Sequence, residues 1–301
     1  MDNKSFNAIP SIKHCTVDGA IDRIEVLRLQ EDGVYAIKNV TTSFKDIFIW
    51  REKMCDWTYQ VVDYYKFDRE IVAVALSILD RFSMKRNFSK KDFQLASMTS
   101  LHLAVKLYEH RELRMLTLTE LSRGLFSLED MLNMEKNMLK ELDWMVHPPT
   151  SVCFIRQMFI FLPSSVSERV KKVIFELSRF LTELSVCENS FMEFQPSTIA
   201  FASILNAIQL VGPECFSIKS REAFLYHIEF AIKKSCVDSD VVKSMTMLEE
   251  VFSKSPGYAV HEASLKSVEN EQHRSEVRQD TQFCRNSPVS VVRKFSDNIC
   301  R

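Results

Sequence analysis

Glycine and proline are scarce, at five and eight residues in a chain of 301, about a third of the share an ordinary soluble protein carries. A chain so short of turn formers is expected to be mostly helical. Gly19, Gly33, Gly124, Gly212 and Gly257 stand too far apart for two to share a phosphate-binding loop. Both Gly-x-Gly-x-x-Gly and Gly-x-x-x-x-Gly-Lys-Ser/Thr are therefore absent, which excludes nucleotide binding by either device. An excess of one charge is also missing: 39 Lys and Arg oppose 40 Asp and Glu, a formal net of −1. That balance gives no electrostatic footprint for nucleic acid or an anionic membrane.

The eight cysteines are scattered without a Cys-x-x-Cys pair, and no basic-then-apolar signal segment opens the chain. The expectation is a reducing compartment, nucleus and/or cytoplasm. Long hydrophobic runs are lacking too. The uncharged stretches at 93–105 and 194–213 are interrupted by Gln, Ser, Thr, His and Asn, and neither reads as a membrane span.

What the chain has in abundance is apolar residues at helical spacing. No proline lies between Ser11 and His147, and then Pro148-Pro149-Thr150 follows, reading as a linker between two units. In the first unit Phe44, Ile47, Phe48, Arg51, Met54, Thr58, Val61 and Tyr65 recur at three and four, a long amphipathic helix. Ile71, Val74, Ala75, Ile78 and Phe82 define a second. A third, near Ser89 to Tyr108, is uncharged through its middle and should be the helix around which the others pack. A short fourth is expected from Thr117 to Arg123, stopped by Gly124. The fifth runs from Ser127 as N-cap to about Leu142, with Leu128, Met131, Leu132, Glu135, Met138, Leu139 and Leu142 on one face.

The pattern then repeats at about 151–162, 165–187, 197–211, 219–234 and 239–252, with an uncharged helix again in the middle. The expected architecture is all-α, two tandem five-helix units each wrapped on one apolar helix. The divisions are 1–42, an ambiguous segment, partly helical or disordered; 43–148; 149–252; and 253–301, where apolar content falls and a disordered tail is expected.

Three charges interrupt this pattern. Arg51 sits in the apolar stripe of the first helix, Glu135 in that of the fifth, and Lys106 ends the uncharged central run. Arg51 either snorkels to the rim or pairs with a buried acid, for which Asp80 on the second helix is best placed. Exposed ion pairs contribute only about 0 to 1 kcal/mol, so partner recognition is a better reason than stability for charges at one end of a bundle.

These residues carry a resemblance. Arg51-Glu-Lys-Met-Cys-Asp56-Trp57 resembles the Arg-x-x-Leu-x-Asp-Trp that opens the cyclin box, and Leu79-Asp80-Arg81-Phe82 resembles its Leu-Asp-Arg-Phe. Phe93-Gln94-Leu95 is similar to its Leu-Gln-Leu, Ala104-Val105-Lys106 to its Ala-Ser-Lys, and Met134-Glu135, Leu139, Trp144 and Pro149-Thr150 to its closing pattern. In the second unit Glu176-Leu177-Ser178, Phe194 and Pro196-Ser197-Thr198-Ile199-Ala200 resemble the second cyclin fold. The short chain and Trp57-Thr-Tyr-Gln-Val-Val most resemble cyclins of diatoms and related algae.

The resemblance implies a regulatory subunit, not an enzyme, that binds and activates a cyclin-dependent serine/threonine kinase in cell-cycle control, needs no cofactor and touches neither DNA nor membrane directly. Substrates or inhibitors of the complex are further implied partners. Lys106 and Glu135 match the charged pair that grips kinase backbone, Leu139 and Trp144 the apolar positions beside it, and Arg51 and Asp80 a buried structural pair. The family's substrate-docking patch falls on Trp50, Lys53, Met54, Trp57 and Gln94, where Lys53 puts a charge in an apolar groove, against docking of Arg-x-Leu segments.

The competing reading is a cyclin-fold transcription factor or scaffold in a promoter complex, disfavoured by the lack of net positive charge. His102 and His110 lie eight apart without a third ligand at ligand spacing, so no metal site is expected.

Overall fold

The computed structural model describes residues 16–37, 45–85, 87–255 and 257. Among these there is no strand, and two compact units form. The first comprises 29–150 together with 186–195; the second comprises the described residues up to Arg28, 151–185 and those from Pro196.

The helices are α1 (Val17–Asp32), α2 (Lys45–Tyr65), α3 (Glu70–Ser83), α4 (Lys90–Tyr108), α5 (Met115–Leu121) and α6 (Leu128–Glu141), then α7 (Ser151–Met158), α8 (Glu168–Cys187), α9 (Pro196–Cys215), α10 (Ile218–Ile232) and α11 (Ser239–Lys254). In the first unit α2, α3 and α6 all pack on α4. Every α4 side chain from Leu95 to Val105 is buried, because that stretch carries no charge that would need water. Ser89 caps α4, its Oγ accepting from the Asp92 amide at 3.1 Å. Ser127 and Asp130 close a capping box on α6, each side chain accepting from the other's backbone N–H. In the second unit α9 plays the α4 role, fully buried from Ser197 to Ile208, with α7 and α11 against it. Gly212, at φ 76° and ψ 157°, breaks α9 just before Pro213.

The structure departs from the sequence expectation at several places. The ambiguous amino-terminal segment holds α1 from Val17, with the Thr16 hydroxyl accepting from the Gly19 amide at 3.1 Å. Residues 1–15 and 38–44 lie outside the described residues, as does the expected tail from 258 onward, while Ser253 and Lys254 belong to α11. Helix α5 starts at Met115 and ends at Leu121, short of Arg123, whose φ of 54° is already left-handed. The apolar face drawn for α6 was too wide. Met131, Met134, Glu135, Met138 and Leu142 are buried, whereas Leu128 and Leu132 are exposed, since a stripe broader than the facing helix can cover turns its edge to solvent.

Candidate functional site

Arg51 and Asp80 meet in the first unit. The guanidinium Nε and Nη2 donate to the two carboxylate oxygens at 2.8 and 3.0 Å, and the side chains are 5% and 6% exposed. This is a bidentate pair between α2 and α3, so Arg51 does not snorkel. Its Nη1 donates further to the Val186 carbonyl (3.1 Å) and to Asn189 Oδ1 (3.2 Å). Burial alone would lower the arginine's pKa, but the Asp80 charge and hydrogen bonds outweigh it and raise it above the ordinary value.

Lys106 and Glu135 form a second, different pair. Nζ stands 3.3 Å from Oε1, with the lysine side chain 61% exposed and the carboxylate 12%. The α4 end and the middle of α6 place them, because these two helices pack together. The pair therefore sits at the rim, with the cation in water and the anion largely shielded. Leu139, one turn further along α6, is half-buried. After α6 the backbone turns through two consecutive left-handed residues, Asp143 (φ 51°) and Trp144 (φ 61°), neither of them glycine. The Trp144 amide donates to the Leu139 carbonyl at 2.9 Å, and its indole is 72% exposed. A non-glycine residue at positive φ costs about 1 kcal/mol or more, so the fold spends stability to hold a large aromatic residue out in solvent, its backbone tied to Leu139 at the end of α6.

Leu107, on which the sequence reading placed no role, and Leu132, read there as part of the buried face, are both exposed. Leu107 follows Lys106 on α4, and Leu132 precedes Glu135 by three positions on α6. On a helix that spacing puts Leu128, Leu132, Glu135 and Leu139 on one stripe. A charged pair with apolar side chains on the same helix stripe has the composition of a protein-binding surface.

The patch on α2 has Trp50, Met54 and Trp57 half-buried along one stripe, with Gln94 of α4 half-buried and the Trp50 ring 5.9 Å from Phe93. Lys53 is exposed among them, with no ion pair or hydrogen bond to any described residue. Half-buried Asp56, one turn further on, has its pKa raised from 3.8 to about 6, first by burial and then by the Glu52 charge. A carboxyl whose folded pKa lies above its unfolded one favours the fold most when protonated. Its contribution is full below about pH 4 and is lost as pH rises through about 6. Asp56→Asn does not titrate, so its stability advantage over the parent is expected to grow between pH 4 and pH 7 by about 1 to 2 kcal/mol, allowing for partial solvent screening. Urea melts at both pH values check this; a difference that stays constant with pH would remove Asp56 as the titrating group.

His102 is buried, its Nδ1 2.9 Å from the Leu113 carbonyl, a core hydrogen bond. Among the described residues no group of three or more His, Cys, Asp or Glu is placed to hold a metal ion, and no helix is long and apolar enough to cross a membrane.

The family model described as the cyclin N-terminal domain matches residues 26–147, and that described as the cyclin C-terminal domain matches residues 149–279. Similar proteins include Cyclin-B2-1 of Arabidopsis thaliana, 30% identical over 157 residues, covering 52% of this chain and 35% of that protein. Cyclin-A1-4 of Oryza sativa subsp. japonica is 27% identical over 176 residues, covering 58% and 48%. The chain thus spans less than half the length of these relatives. The crystal structure of a viral cyclin from herpesvirus saimiri has the same fold, with a TM-score of 0.60 at 17% identity, covering 78% of this chain and 98% of that one. With one cyclin domain matched on each unit, the chain belongs to the cyclin family.

Proposed function

We propose that the protein is a regulatory subunit that binds and activates a cyclin-dependent serine/threonine kinase in cell-cycle control. The observation that carries this reading is the rim pair Lys106–Glu135 at 3.3 Å, with Leu139 beside it and Trp144 held out in solvent by a left-handed turn. A shielded carboxylate and an exposed ammonium offer one acceptor and one donor set to partner backbone, and the leucines and the indole supply apolar anchors. Such a surface performs no chemistry. It raises kinase activity to the extent that it binds the kinase's active conformation more tightly than the inactive one.

Affinity purification of the full chain, with mass spectrometry of what comes with it, tests the reading. A cyclin-dependent kinase is the expected partner, with phosphate transfer to a protein substrate only when the cyclin is present. Recovery of a promoter complex without a kinase would overturn the proposal and favour the transcriptional use of the fold. Between 43 and 252 the chain carries 26 Lys and Arg against 28 Asp and Glu, a poor basis for neutralising phosphates.

Substrate docking at the α2 patch is expected to be weak for Arg-x-Leu peptides. Lys53 lies beside Trp50, Met54 and Trp57 and must be desolvated by any apolar side chain laid over it, and it repels the peptide's arginine. Lys53→Leu is expected to strengthen binding by calorimetry. Low-micromolar affinity of the parent for such a peptide would contradict this.

A further inference from the structure

Asp80 and Arg81 are neighbours in sequence with opposite fortunes. Asp80 is neutralised by Arg51, but Arg81 has no carboxylate partner among the described residues, although it is only 9% exposed. Its Nη1 donates to the Met145 carbonyl at 2.7 Å, and its guanidinium lies over the Tyr35 ring at 4.6 Å. Burial lowers its pKa and Tyr35 offsets this only in part, whereas at Arg51 the Asp80 charge and hydrogen bonds prevail over burial. A largely desolvated cation without an anion is a costly arrangement. Nε and Nη2 make no hydrogen bond to any described residue, and neither is sealed from solvent.

Arg81 lines a cavity of about 360 Å³ in the first unit. Val34, Ile37, Met84, Leu142 and Met145 supply apolar walls, and the polar lining besides Arg81 is Lys85 and Asp143. Lys85 is engaged with the Glu141 carbonyl. Asp143 is the first residue of the left-handed turn that presents Trp144, so the cavity and the proposed partner face share one strained segment. Strain of this kind persists where the surrounding structure holds a ligand clamp in place.

We propose that this cavity is a docking pocket for an acidic–apolar segment of a protein partner, with the partner's carboxylate on the Nε–Nη2 edge of Arg81 and an adjoining aliphatic side chain between Met84 and Met145. Charge and shape select this occupant. One guanidinium edge matches one carboxylate in two parallel hydrogen bonds, while the Asp143 carboxylate opposes a dianion such as a phosphate. The apolar walls are too extensive for a simple inorganic anion. The pocket rests on the partner-binding reading above and extends that surface past Trp144.

The test uses the full chain and two fluorophore-labelled capped peptides, acetyl-Ala-Leu-Glu-Leu-Ala-amide and its Gln counterpart, followed by fluorescence polarisation. The Glu peptide is expected to bind about tenfold more tightly than the Gln peptide, as befits a charge-assisted bidentate contact. Arg81→Gln is expected to erase that preference. Because Arg81→Gln also loses the Met145 hydrogen bond, Val34→Glu serves as a second variant. It puts a negative charge on an exposed wall residue, leaves Arg81 intact and is expected to weaken the Glu peptide alone. Equal binding of the two peptides, or no binding of either by the full chain, overturns the pocket. A parent that captures its kinase yet does not discriminate the peptides loses only the pocket; one that discriminates them but captures no kinase loses only the kinase reading.

Discussion

Arg51→Ala is expected to lower the unfolding free energy by about 3 to 5 kcal/mol, because it leaves the Asp80 carboxylate buried without its counter-charge. Asp80 is 6% exposed and receives both of its ionic hydrogen bonds from that guanidinium. The same substitution strips donors from the Val186 carbonyl and Asn189. An exposed pair would cost about 0 to 1 kcal/mol, so the two descriptions are separable by chemical denaturation alone. A double-mutant cycle with Asp80→Ala sharpens the reading. Removing both charges is expected to cost clearly less than the sum of the single changes, since the second deletion relieves the orphan left by the first. A melting temperature for Arg51→Ala within a degree or two of the parent would contradict a buried pair of this strength.

Replacing both Lys106 and Glu135 by alanine is expected to weaken kinase binding by about 2 to 5 kcal/mol, a loss of at least thirtyfold, while the fold stays intact. The asymmetry follows from exposure. A lysine 61% exposed lends little stability to its own chain, yet the same charges become desolvated when a partner covers them, and truncation then leaves partner groups unpaired. Alanine preserves both helices. Co-purification with the kinase and its activity on a protein substrate check binding, and thermal melting checks the fold. Full activation by the double variant would show that the rim pair is not the contact.

Much of this was legible in the chain. An uncharged run long enough for a helix cannot lie at a surface, so α4 and α9 announced the two cores. The capping serine of α6 and the misfit of Arg51 followed from local chemistry. Helix α1 was illegible because its buried side chains, Ala20, Ile24 and Glu31, are few and one is an acid, which leaves no apolar stripe to count. The outward turn of Leu128 and Leu132 depends on how much of α6 its neighbours cover, a tertiary quantity. Arg81 belongs to a motif that was recognised, but that no carboxylate of the described residues pairs with it is visible only in three dimensions. Trp144 was placed by its neighbours in sequence, whereas its left-handed backbone has no glycine or asparagine to advertise it.

The acceptors of Arg51 arrive at different times during synthesis. Asp80 emerges 29 residues after the arginine, but Val186 and Asn189 follow only 135 and 138 residues after it. Chains tend to fold in amino-to-carboxyl order as they leave the ribosome, so the salt bridge can close early while Nη1 stays hydrated until most of the second cyclin domain's α8 has been made. The first unit, which includes 186–195, is therefore not a contiguous stretch of polypeptide. No single cut releases it whole: a fragment ending at Thr150 carries the arginine and its aspartate but has left two of the guanidinium's partners behind.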